Sequence, residues 1–312
     1  MRQAALHVGE GGQMALCVAA ESMSRNPIAA YTHRNGFSLG AAVQFKDFLW
    51  EALYDPAPAM DMISTADNLA KRHGLSREAV DSYALLSHER ALQSQISGKW
   101  TEEIVPVSRE RFALEGYQPR GIELPRGVEV VTQDSHPRAT HLAALSRLRA
   151  IHANGVQTAG NSCAVVDGAA AALVGRASQS TRPVLAHLLA SAVTGVAPEF
   201  MGIGPAPAIR LLLQRSGLAL SDIGRLEINE AQAAQVLAVA QTLALDHERL
   251  NCLGGSLGLG HPLAATGLRL VMTMARQLRD AGLRYGIAAA CVGGGQGMAL
   301  LIENPHCASS RV

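Results

Sequence analysis

Tyr285-Gly-Ile-Ala-Ala-Ala-Cys291-Val-Gly-Gly-Gly-Gln-Gly297-Met-Ala-Leu-Leu-Ile302 holds two short runs of small apolar residues around a glycine-rich turn. Runs so continuous, bounded by turn residues, read as strands buried on both faces, so Tyr285 to Cys291 and Met298 to Ile302 are expected to close a sheet. Upstream of them, Gly267 to Ala281 and Ala233 to Leu243 read as helices. Arg225 to Ile228 is a short strand that delivers Asn229-Glu230-Ala231 to its end, and Pro205 to Ser216 is a helix stopped by Gly217. Val184 to Val193 reads as a further strand. Nearer the amino terminus, Gln13 to Ala20 reads as a strand buried on both faces, and Asp167-Gly168 as a turn feeding a central strand, Ala169 to Val174. Strand and helix alternate, so the fold class is α/β. The stretch from Asn26 to about Arg149 holds most of the charges and aromatics and is expected to be an inserted, surface-facing subdomain. Within it Ser64-Thr65-Ala66-Asp67 opens an amphipathic stretch through Lys71, and Ser76 caps a helix running through Ala91.

With 27 basic and 26 acidic side chains among 312 residues, the formal net charge is +1. No charge excess points to nucleic acid or an anionic membrane as partner. The longest apolar stretches, Met14 to Ala20 and Gly168 to Val174, are far shorter than the roughly 20 residues a bilayer crossing needs. No secretory signal is readable after Met1, so a cytoplasmic location is expected. Five cysteines, an odd number without framework spacing, fit reduced thiols.

Three tracts put polar groups and glycine at expected strand ends, where an α/β sheet presents its ligand crevice. In Asn229-Glu230-Ala231, Asn229 reads equally as a site residue or as a helix cap. In Asn251-Cys252-Leu253-Gly254-Gly255-Ser256-Leu257-Gly258-Leu259-Gly260-His261-Pro262, glycines flank a histidine just ahead of a helix, a setting that favours function over a structural role. In Cys291-Val292-Gly293-Gly294-Gly295-Gln296-Gly297, a thiol is followed by free backbone N–H groups, a thiolate or oxyanion site unless the cysteine is simply buried beside a tight turn. No Gly-Lys-Ser/Thr ending makes the last tract a phosphate loop. The remaining histidines, His33 and His88 among them, read as surface or loop residues, and no ligand spacing implies a metal. Cys17 and Cys163 read as small core residues.

Together these three tracts resemble, in order and spacing, the carboxy-terminal signatures of the thiolases. Glu21-Ser22-Met23-Ser24, Thr158-Ala159-Gly160-Asn161-Ser162 with Asp167-Gly168-Ala169-Ala170, and Met201-Gly202-Ile203-Gly204-Pro205 extend the resemblance to nearly the whole chain. It implies a five-layered αβαβα fold of two similar halves. Residues 1–25 and 153–180 would belong to the amino-terminal half, 26–152 to a loop domain covering coenzyme A, 181–305 to the carboxy-terminal half, and 306–312 to a tail. The implied activity is that of an acyl-CoA C-acyltransferase: Claisen condensation of acetyl-CoA or thiolysis of a 3-oxoacyl-CoA, with no metal or redox cofactor.

The resemblance also implies residue roles. His261 would activate a nucleophilic cysteine and help polarise the thioester oxygen, and Asn229 would hold a water that joins it in one oxyanion hole. Cys291 would take the α-proton of acetyl-CoA, and the N–H of Gly293 would donate to the other oxyanion hole. Ser191, Met62 and Gln232 would contact coenzyme A, Gln232 standing where the family commonly has an aromatic and Asp61 where it has a histidine. The position of the family's nucleophilic cysteine falls before Met1, so the amino-terminal half is expected to be truncated, leaving apolar surface exposed. A homo-oligomer is expected, possibly assembling with a full-length thiolase. The alternatives are a catalytically inactive CoA-binding or regulatory partner of such an enzyme, and a condensing enzyme using acyl carrier protein.

Overall fold

The computed structural model describes residues 1–31, 36 and 38–307; His33 and most of the 306–312 tail lie outside the described residues. Its main elements are α1 (Arg2–Gly9), β1 (Met14–Glu21), α2 (Met62–His73), α3 (Arg77–Ile96), β2 (Gly168–Gly175), β3 (His187–Gly195), α4 (Pro205–Ser216), β4 (Ile223–Ile228), α5 (Ala233–Leu243), α6 (Leu263–Ala281), β5 (Tyr285–Val292) and β6 (Gln296–Glu303).

Four strands form one sheet in the order β3-β6-β5-β4, with β4 and β5 parallel and the other pairs antiparallel. Side chains on a strand alternate between faces, so a strand covered on both sides must be apolar throughout. In β5, Ile287 and Ala289 pack into the core shared with α4 and α5, while Ala288 packs on the other face against Leu270, Met274 and Leu278 of α6. The continuous apolar run of β5 is thereby explained. Gly217, at φ +68°, ends α4 in the left-handed region as expected.

A second, two-stranded sheet pairs β1 with β2 in antiparallel register from Met14–Gly175 to Glu21–Gly168. One face of it, with Ala15, Cys17 and Val174, packs on Ala4 and Val8 of α1. The same pair of strands also meets α6. Helices α1 and α6 thus form a middle layer between the two sheets, and α4 and α5 an outer one. The expectation that β1 is buried on both faces fails, as does that of a central strand for β2. Among the described residues nothing covers the second face, where Met14, Leu16 and Val18 are 61%, 66% and 65% exposed. The apolar surface anticipated from the sequence is therefore present.

The charge-rich region is less peripheral than its composition suggests. Ser76 Oγ caps α3 by accepting from the N–H of Ala79, and Val80, Tyr83 and Ala84 carry α3 into the main core. Helix α2 begins at Met62 rather than Ser64 because Asp61 caps it, accepting from the N–H of Ser64 at 2.7 Å. His88, expected at the surface, is buried on α3, and burial, then the nearby Arg138 cation, pull its imidazole down to about 4.

Candidate active site

Strand β4 ends beside β5, where the N–H of Asn229 donates to the carbonyl of Ala289 at 2.9 Å. The two side chains that follow are both sealed from solvent, Asn229 at 1% exposure and Glu230 at 0%. A buried carboxylate needs a donor for each lone pair it turns inward. Glu230 has four: Tyr83 Oη (2.9 Å) and Asn251 Nδ2 (2.9 Å) donate to Oε1, and Ser87 Oγ (2.6 Å) and the N–H of Leu257 (3.1 Å) donate to Oε2. Burial, then this carboxylate, hold the Tyr83 phenol well above its usual range. Glu230 is therefore an anchor that fastens α3 and the glycine-rich loop to the end of β4. Gly255 is required there, since a Cβ would run into the Glu230 carboxylate. Gly260 is required by its φ of +91°, and a Cβ on it would meet Val166.

Asn229 is not a helix cap. Its Oδ1 accepts from Ser256 Oγ at 2.7 Å, and its Nδ2 lies 3.2 Å from His261 Nε2. The imidazole is held from behind, with Nδ1 2.6 Å from Thr266 Oγ1, which in turn donates to the carbonyl of Pro262 at 3.0 Å. Burial first, then the Arg269 cation, pull His261 down to about 4, so it is neutral at physiological pH. Cys291 is buried at the end of β5, and burial pushes its thiol up to about 12.

The segment Ser162–Ala164 runs between these tracts. The N–H of Cys163 donates to the carbonyl of Ala231 at 3.1 Å, and the carbonyl of Ala164 accepts from the N–H of His261 at 3.0 Å. Burial, then proximity to Cys291, push the Cys163 thiol up to about 12 as well. Cys163, expected only as a small core residue, thus also lies beside Cys291 and is tied by its backbone to Ala231. Its sequence signal was its place directly after Thr158-Ala159-Gly160-Asn161-Ser162. Ser256, Thr266 and Arg269 were also missed. Ser256 and Thr266 each lie within five residues of His261, and a loop or helix-start hydroxyl that close to a candidate base is the signal available.

Of the residues expected at coenzyme A, Met62 is at the Cys291 turn: its Sδ and Cε are 3.7 Å from where a Cβ on Gly293 would stand. Asp55 ties the same turn to the inserted region by accepting from the N–H of Gly294 at 2.9 Å. Gln232 is buried and bridges by its backbone to Ser162. Ser191 is not brought to this group. It pairs with Leu300, which pairs with Ala288, three positions short of Cys291, or about 10 Å at the strand rise. Asp61 faces His152 Nε2 at 3.0 Å. Burial opposes its ionisation, but the Ser64 N–H and His152 outweigh that and hold it below the usual carboxylate range. Among the described residues no cluster of His, Cys, Asp or Glu side chains could hold a metal, and no helix is long and apolar enough to cross a membrane.

The chain matches the family profiles "Thiolase, N-terminal domain" over residues 3–178 and "Thiolase, C-terminal domain" over residues 182–304. It is 37% identical to the mitochondrial 3-ketoacyl-CoA thiolase of Bos taurus, aligning 94% of this chain with 72% of that protein. It is 40% identical to the beta-ketoadipyl-CoA thiolase of Pseudomonas aeruginosa, over 94% of this chain and 73% of the relative. The crystal structure of the Bacillus anthracis acetyl-CoA acetyltransferase superposes with a TM-score of 0.88 at 38% identity, covering 97% of this chain and 75% of that one. With the two sheets, the shared middle helices and the Asn229–His261 contact, these matches establish that the chain belongs to the thiolases, a family of acyl-CoA acyltransferases.

Proposed function

We propose that His261, Asn229, Cys291 and Gly293 are the reacting centre of this thiolase, and that its substrates are acetyl-CoA and a 3-oxoacyl-CoA. The observation that carries the reading is the direct contact of Asn229 with His261 at the end of β4, with Cys291 closing the neighbouring parallel strand. A thioester carbonyl that becomes an enolate or a tetrahedral oxyanion gathers charge on oxygen, and fixed N–H donors lower that barrier. Asn229 Nδ2 and the N–H of Gly293 are such donors. Neutral His261 accepts a proton at Nε2 and, once charged, becomes a further donor. Cys291, as thiolate, removes a proton from the α-carbon; as thiol, it returns one to a leaving carbanion or thiolate. The steps assigned to these residues are proton transfers and oxyanion stabilisation, which call on no redox centre. Met62 and Gln232 would line the path of the pantetheine chain.

The reading is tested on the chain as it stands by following the methyl protons of acetyl-CoA in D2O by NMR. Enolate formation by Cys291 exchanges them for deuterium and needs no acyl-enzyme. Saturable exchange above the protein-free rate is expected. Exchange no faster than in buffer, with acetyl-CoA demonstrably bound, would refute the assigned roles.

We also propose that the uncovered face of the β1–β2 pair mediates self-association, in a reducing compartment such as the cytoplasm. Three large side chains of β1 and Leu173 of β2 stand exposed there, an apolar surface of the sort that marks an interface. A second copy offering the same face would give a two-fold contact. Sedimentation equilibrium is expected to show a concentration-dependent dimer. A monomer at all concentrations would contradict it. The reducing compartment is supported by the thiols Cys17, Cys163, Cys252 and Cys291, none of which is in a disulfide.

A further inference from the structure

We infer that Arg269, acting through Ser256 and Asn229, fixes the tautomer of His261, so that in the free protein the imidazole carries its proton on Nδ1 and keeps Nε2 unprotonated, its lone pair facing the Asn229 amide. The inference deepens the proposed role of His261 as a proton acceptor and rests on that reading for its significance, though not for its geometry.

The argument starts from the two ends of a hydrogen-bond chain. Arginine can only donate, and a backbone carbonyl can only accept. Arg269 Nη2 lies 3.3 Å from Ser256 Oγ. With a donor on that side, the single hydroxyl hydrogen of Ser256 is left for its other contact, at 2.7 Å, with Asn229. Were Nδ2 turned to Ser256 instead, Oγ would accept from both neighbours and its own hydrogen, sealed from solvent, would have no acceptor among the described residues; Oδ1 therefore faces Ser256, which decides an amide orientation that shape alone leaves ambiguous. The amide Nδ2 is then turned to His261, and at 3.2 Å it can only donate. Nε2 must be the acceptor, so a neutral ring has its proton on Nδ1. That proton is directed at Thr266 Oγ1, 2.6 Å away, whose own hydrogen goes to the carbonyl of Pro262 at 3.0 Å.

Every link runs the same way, from guanidinium to carbonyl, and reversing the amide strands the buried Ser256 hydrogen, while a proton on Nε2 with the amide in place sets donor against donor. The starting point is itself held. Arg269 Nη1 lies 3.5 Å from Glu227 Oε2, and Glu227 Oε1 accepts from Gln277 Nε2 at 2.7 Å. Glu227, Ser256 and Asn229 are all sealed from solvent, where a mispaired polar group costs most. Arg269 and Ser256 are therefore positioning residues, and what they position is the lone pair that receives a proton.

The test uses the whole chain with 15N-labelled histidine. Multiple-bond proton–nitrogen correlation at neutral pH reads which ring nitrogen of His261 is protonated and needs no substrate. Nδ1–H is expected in the wild type. Ser256→Ala releases the amide and is expected to raise the Nε2–H form at least tenfold, and Ser256→Thr to restore the wild-type ratio. Asn229→Asp puts an acceptor opposite Nε2 and is expected to transfer the proton there, whether or not Ser256→Ala folds. An Nε2–H ring in the wild type overturns the inference. So does an unchanged Nδ1–H ring in Ser256→Ala with an intact amide spectrum. A chain that showed the expected tautomer but no α-proton exchange would refute the reaction roles alone.

Discussion

Cys291→Ala is expected to slow the deuterium exchange of acetyl-CoA by about 10²–10⁴-fold, the usual contribution of a positioned proton-transfer group. The thiol of Cys291 lies up near 12 because it is buried at the end of β5. At neutral pH only about one molecule in 10⁵ carries the thiolate, which is correspondingly basic. The wild-type rate is therefore expected to climb about tenfold per pH unit through the neutral and mildly alkaline range, as the ionised fraction does. His261, held near 4, stays neutral throughout and adds no inflection. Cys17→Ala, on β1 against α1, serves as the control and is expected to leave the exchange unaltered. NMR rates for the three proteins between pH 6 and 9 decide the matter. A pH-independent rate, or exchange surviving in Cys291→Ala, assigns the base elsewhere, and Cys163, whose thiol adjoins that of Cys291, would be the next to test.

Glu230→Ala is expected to cost about 5 kcal/mol of stability or more, a large part of the roughly 5–15 kcal/mol that holds a domain folded. Four donors lose their acceptor at once: Tyr83, Asn251, Ser87 and the N–H of Leu257. Each buried donor left alone costs about 1–3 kcal/mol, and a cavity is added. Glu230→Gln keeps one oxygen, so it is expected to cost less. Its amide would still face either the N–H of Leu257, which cannot turn away, or the Tyr83–Asn251 pair. Chemical denaturation of the three proteins measures the series. A Glu230→Ala variant within 1 kcal/mol of the wild type would mean that Glu230 is not the anchor described above.

These two predictions also mark how far local sequence reaches. Elements whose cause lies in a few adjacent residues were legible. Ser76 sets the start of α3, Gly217 the end of α4, and the unbroken apolar run of β5 its burial between two layers. The tracts carrying Asn229, His261 and Cys291 were legible as candidates because glycine and polar residues at strand ends are a local pattern. The partners of Glu230 were not, since Tyr83 and Ser87 lie 147 and 143 residues away in the chain. The place of Cys163 beside Cys291 was not legible for the same reason: its environment is made by Ala231 and Cys291, from other segments. The strand β1 was misread in the opposite sense. An unbroken apolar run announces that both faces are fit for burial, and only the neighbouring layers decide whether both are covered.

Helix α6 lies between the two sheets and carries, within its first two turns, both the hydroxyl behind His261 and the guanidinium that orients Asn229. The thin β1–β2 ribbon cannot peel off without baring the flank of that helix, and a helix so bared loosens the imidazole it supports. Release of the ribbon is therefore expected to reach the imidazole through the helix both share.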